Sequence, residues 1–211
     1  MGSHCCTHHR ADPHRGNAGY RRVLWAVLVV NAAMFCAEIG AGLVAGSASL
    51  QADALDFLGD ATNYAVSLFV IGMALRHRAM AALAKGATMG LFGLWVIVTV
   101  IWHAAHGTLP NATTMGAVGI AAFAAFAASF ALLWTFRAGD ANMRSAWICT
   151  RNDVLGNMAV LLAAAGVFGT GTGWPDVIVA AVMAALALQG AAIVLRQSTT
   201  ELRQPLAVTA G

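Results

Sequence analysis

Residues 50–75, LQADALDFLGDATNYAVSLFVIGMAL, constrain this chain more than any other stretch. The segment is long and apolar enough to cross a bilayer, yet it carries Asp53, Asp56 and Asp60. At helical spacing these acids stand at i, i+3 and i+7 and share one face; Asn63 and Ser67 continue the stripe. A central Asp in a membrane helix costs roughly 2.5–3.5 kcal/mol on insertion scales. Three on one stripe are therefore expected to line a polar site inside a helix bundle rather than face lipid. The plainer reading, in which they only join helices by hydrogen bonds, is disfavoured because no cation shares the segment before its end.

At 59% hydrophobic and 10% charged residues, the rest of the chain also has membrane rather than soluble composition. The first apolar run begins near Val23 and is too long for the hydrophobic region of a secretory signal. Cys5, Cys6, Cys36 and Cys149 suggest no extracellular disulfide framework. Spans are expected at about Val23–Val44, Leu50–Leu75, Gly86–Ala105, Thr114–Phe136, Ser145–Val167 and Val177–Leu195. Each approaches the ~20 residues that cross the hydrocarbon layer. The fold class is all-α, a polytopic bundle of six transmembrane helices.

Arg10, Arg15, Arg21, Arg22, Arg76, Arg78, Lys85, Arg137, Arg144, Arg196 and Arg203 all fall on one side of this topology, and the opposite loops hold no Lys or Arg. Positive-inside then puts both termini in the cytoplasm. Trp25, Trp134 and Trp147 fall near the inner interface, and Trp102 and Trp174 near the outer one. The expected division is a cytoplasmic tail over residues 1–21, a transmembrane transport domain over 22–196 and a short cytoplasmic tail over 197–211. The first tail holds His4, Cys5, Cys6, His8, His9 and His14, donors that suit zinc, copper, nickel or cobalt. It is expected to be flexible in the free protein. His103 reads as an interfacial residue rather than a ligand.

The fifth span contains Arg151, Asn152, Asp153 and Asn157. With about 1.5 Å per residue and both spans starting at the membrane edge, Asp60 is level with Asp153, and Asp56 with Asn157. Two antiparallel helices would then offer four oxygen-bearing side chains at one depth. A divalent cation answers that geometry, since it cancels carboxylate charge and accepts four ligands.

Asn31 to Glu38, followed by GLVAGSASLQADALDFLGDA, the DVLGN run at Asp153–Asn157 and the TGWPD segment ending at Asp176 together resemble the cation diffusion facilitator family of divalent-metal efflux transporters. The resemblance covers about Val23 to Arg196. It implies metal ligands at Asp56, Asp60, Asp153 and Asn157. It also implies six spans, a homodimer, and exchange of cytoplasmic metal for protons across a bacterial inner or plasma membrane. This sequence departs from the family pattern in three places. The cytoplasmic C-terminal domain is expected to be absent, Asn157 stands where an Asp is common, and Arg151 adds a cation to the fifth span. At i−2 from Asp153, Arg151 points to another face, where it would snorkel or pair with Glu38. Asp53 and Glu38 are expected to line the outer vestibule or carry protons.

An all-oxygen site favours manganese or iron(II), whereas the His/Cys tail favours zinc, cobalt, nickel or copper, so the cargo is a divalent transition metal. The ion is cargo, and no resident cofactor is expected. An intramembrane aspartyl protease is a weaker reading, because LGD at Leu58–Asp60 is only part of a GxGD pattern; neither an enzyme nor a nucleic-acid partner is expected. Two other classes stay open: an organic-cation transporter, for which only Tyr64 offers an aromatic wall, and a membrane metal-binding sensor that moves nothing.

Overall fold

The computed structural model describes residues 18–70, 75–134 and 141–203. The metal-capturing tail expected before residue 18 therefore lies outside the described residues, as does the chain after residue 203. The elements are α1 (Ala18–Ala45), α2 (Ala48–Ala65) with a π-helical turn at Val66–Val70, α3 (Leu75–His106), α4 (Ala112–Trp134), α5 (Ala141–Thr170) and α6 (Trp174–Arg203). Among the described residues there is no strand.

Five helices are long and apolar enough to cross a membrane: α1, α3, α4, α5 and α6. The remaining helix, α2, carries the three aspartates and is the one most enclosed by its neighbours. It packs against α1, α3, α5 and α6, and most of its side chains are buried. Polar groups turn inward while Val44, Leu91, Leu162 and Phe168 turn outward. That inversion of the soluble pattern suits hydrocarbon as the solvent, where an unpaired polar group costs several kcal/mol. The chain is a polytopic helical membrane protein.

Local chemistry sets the entry of α2. Gly46 takes φ +65°, a left-handed conformation that closes α1 and reverses the chain. Ser47 caps α2 by accepting from Leu50 N at 3.2 Å. The helices then cross closely: a Cβ on Gly42 would lie 2.9 Å from Gln51 Cγ. A second close seam joins α3 to α6. There Gly86 faces Leu195, Gly90 faces Ala191 and Gly93 faces Leu188, glycines at i, i+4 and i+7 on one helix face. The fourth span is rich in Ala and Gly, a composition that favours close helix packing. In α4, Gly119 does meet Leu161 of α5, but Gly116 has nothing within 4 Å.

Helix boundaries differ from the sequence expectation chiefly at the cytoplasmic connections. The third helix begins at Leu75 rather than Gly86, so the basic connection through Lys85 is helical. Arg, Ala, Met, Leu and Lys are good helix formers, and no Gly or Pro interrupts residues 75–85. Charge marks depth in the membrane, not where a helix starts.

Candidate metal site

The site is built on α2, whose outer end is fixed by Asp176 of α6. That carboxylate accepts from Ser47 Oγ at 2.7 Å, Ala48 N at 2.8 Å, Ser49 N at 3.0 Å and Ser49 Oγ at 2.6 Å. A buried anion at a helix N-terminus satisfies otherwise orphaned backbone donors and meets the positive end of the dipole. The depth of α2 relative to α6 is thereby set at one end.

Below this anchor the polar stripe divides into two levels. The outer level gathers Glu38 of α1, Asp53 of α2 and Asn157 of α5, all fully buried. Asn157 Nδ2 donates to Asp53 Oδ2 at 2.6 Å, and the Glu38 carboxyl lies beside that of Asp53. Both Glu38 oxygens, Asp53 Oδ1 and Asn157 Oδ1 have no hydrogen-bond partner among the described residues. Asn31, one face-repeat inward along α1, is also buried and donates Nδ2 to Val27 O at 2.7 Å.

The inner level holds Asp56, Asp60 and Asp153. Asp56 is half-buried and faces α5 at Gly156: a Cβ there would lie 3.5 Å from Asp56 Oδ2. Asp60 is buried, and its Oδ2 accepts from Tyr64 OH at 2.9 Å. Asp153 lies one turn inward of Asn157 on α5 and is half-buried. Val154, beside it, packs on the Phe57–Phe126 stack, whose ring centroids are 4.0 Å apart. These rings make a dry wall between α2 and α4. The side chains of Ser67 and Arg151 are not among those described.

Helices α2 and α5 meet along the acidic stripe. Asn157 Nδ2 is engaged by Asp53, while Asp56 stands beside Gly156, one residue before Asn157. The expectation started both spans at the membrane edge. Helix α5 itself begins at Ala141, four residues before the expected span. Among the described residues, no three His, Cys, Asp or Glu side chains converge tightly enough to enclose an ion. Asp56 lies at the α2–α5 contact, whereas Asp60 is engaged by Tyr64 on its own helix.

Three features escaped the sequence reading. Asp176 matched a motif, but its role as the cap of another helix was not apparent. The run GSAS, with two hydroxyls at a helix start, hinted that an acceptor was needed there. Lys85 was counted as a connection residue, yet it is buried on α3 and its Nζ donates to Asn63 Oδ1. Gln51 is held by Trp95 Nε1 at 3.0 Å, which ties the outer half of α2 to α3.

Membrane-length helices surrounding one acidic helix define a polytopic protein with an intramembrane carboxylate stripe. The chain belongs to the cation efflux family, whose transmembrane domain matches residues 24–203. Among curated proteins it is similar to the zinc transporter ZitB of Yersinia pestis, 26% identical over 199 residues that cover 86% of this chain and 62% of that protein. It is also similar to the cadmium, cobalt and zinc/H(+)-K(+) antiporter of Bacillus subtilis (strain 168), 24% identical over 202 residues, covering 88% and 64% of the two chains. ZitB of Pectobacterium atrosepticum is 26% identical over 212 residues, covering 92% and 64%. The chain thus spans just under two thirds of the length of these relatives.

Proposed function

We propose that this protein exports a divalent transition metal from the cytoplasm in exchange for protons, as a homodimer in a bacterial inner membrane. Asp56, Asp60 and Asp153 are the anionic ligands, and Asn157 adds a neutral one through Oδ1. One observation carries this reading: the enclosed helix α2 turns an acidic stripe inward, with Asp60 buried and Asp56 beside Gly156 of α5. The Asn157 amide is also turned with its nitrogen on Asp53 and its oxygen without a partner among the described residues. A metal takes an amide through oxygen, so anchoring the nitrogen elsewhere prepares that oxygen for use. Closing the site requires Asp60 to exchange Tyr64 for the ion.

Zinc, cobalt and cadmium are the first cargoes to test, because the similar proteins are named for them. The all-oxygen donor set also suits manganese and iron(II). The exchanged ion is a proton, since a dehydrated carboxylate that releases a metal is neutralised most simply by protonation. The one-sided distribution of basic residues supports a cytoplasmic loading side.

Reconstituted vesicles loaded with zinc provide the test. An imposed inward proton gradient is expected to drive zinc release, an uncoupler to stop it, and Asp60→Ala to abolish it. Release indifferent to both gradient and uncoupler would mean a channel or uniporter. Zinc binding without any flux would mean a sensor, and flux of organic cations alone would overturn the metal reading.

A further inference from the structure

Lys85 is the only Lys or Arg that is buried among the described residues, at 7% exposure. It lies well inside α3, past the point at Ala79 where that helix becomes apolar enough to cross the membrane. Its Nζ donates to Asn63 Oδ1, and Asn63 stands three residues past Asp60 on the polar stripe of α2. The ammonium also borders a cleft of about 380 Å³ between α2 and α3, walled mainly by apolar side chains such as Leu58 and Met89. A buried ammonium in apolar surroundings is costly and is kept only where a polar group receives it.

We infer that Lys85 is a tethered cation that competes with the transported metal for the polar stripe of α2, setting how tightly the site holds its cargo. The inference rests on the reading of that stripe as the metal site. The geometry supports competition in two ways. The ammonium occupies an oxygen of the stripe one turn inward of Asp60, and its charge repels any second cation bound there in a medium that screens poorly. It is also carried by α3, which is joined to α6 along the glycine seam. Movement of the α3–α6 pair relative to α2 therefore withdraws or returns the competing charge. A residue with only a packing role makes the opposite prediction, since its loss would loosen the site.

The test uses the full 211-residue chain, purified and titrated with zinc and then with cobalt. Asp60→Asn identifies which part of the isotherm belongs to the intramembrane site rather than to the His/Cys tail. Lys85→Gln removes the charge and keeps a donor for Asn63; Lys85→Arg keeps the charge. The expected result is intramembrane binding about tenfold tighter in Lys85→Gln, with Lys85→Arg close to wild type. In vesicles Lys85→Gln is expected to lower both the half-saturating zinc concentration and the maximal rate. Unchanged or weaker binding by a Lys85→Gln protein that melts like wild type overturns the proposal. If that variant fails to fold, Lys85→Met reads the same difference. If Asp60→Asn leaves the wild-type isotherm intact, the metal-site reading itself fails.

Discussion

At the scale of single residues, the molecule treats buried oxygens in two ways. Asp176 is saturated: Oδ1 accepts three hydrogen bonds and Oδ2 one. Removing it by Asp176→Ala strands two hydroxyls and two backbone N–H groups, at a cost of roughly 3 kcal/mol. Asp176→Asn keeps the oxygen that serves three donors but turns an amide N–H towards Ala48 N. Its loss should be smaller, and thermal unfolding in detergent should rank wild type above Asn and Asn above Ala. Asp53 is only partly saturated: Oδ2 accepts from Asn157, and Oδ1 has no hydrogen-bond partner among the described residues. Asp53→Asn retains an acceptor and should slow transport more than it weakens zinc binding. Asp53→Leu leaves the Asn157 nitrogen unmet and should weaken binding as well. A large loss of affinity in Asp53→Asn would instead make that residue a direct ligand.

At the scale of helices, the acidic stripe, the antiparallel order and the polarity of each face were legible from the sequence. They follow from spacing, length and composition, which act locally. Which side chains pair across helices was not legible, because that depends on how the helices are packed against one another. Nothing in DVLGN states that the Asn157 amide nitrogen is donated to Asp53. Remote contacts that local spacing does not announce hold α2 in place: Asp176 caps it, and Gly42 lets α1 approach Gln51. Lys85 was misplaced for a related reason, since a basic residue near an apolar run reads as interfacial until a partner such as Asn63 is seen. The role of Gly42 can be checked against a neighbour. Gly42→Ala must push against Gln51 Cγ and its backbone nitrogen, and should cost about 1–3 kcal/mol. Gly40→Ala meets nothing within 4 Å and should leave the melting temperature unchanged or slightly raised. Equal effects of the two substitutions would mean that the α1–α2 crossing is looser than described.

At the scale of the whole molecule, exchange requires the same oxygens to hold a metal on one side of the membrane and protons on the other. Three carboxyls that release a divalent ion leave several negative charges close together in a poorly screening medium. Lys85 reaches the inner end of the stripe through Asn63. Metal binding must therefore displace whatever protons these carboxyls carry, and affinity must fall as pH falls. The sign follows from linkage: if loading releases one proton, the apparent dissociation constant rises about tenfold for each unit of acidification, and about a hundredfold for two protons. The count can be read directly by titrating zinc calorimetrically in two buffers of different ionisation heat, using wild type and Asp60→Asn to isolate the intramembrane site. One or two protons per zinc are expected in wild type, with fewer in the variant. Zinc binding at that site with no proton release, and with an affinity indifferent to pH, would remove the physical basis for exchange and leave metal binding without proton coupling.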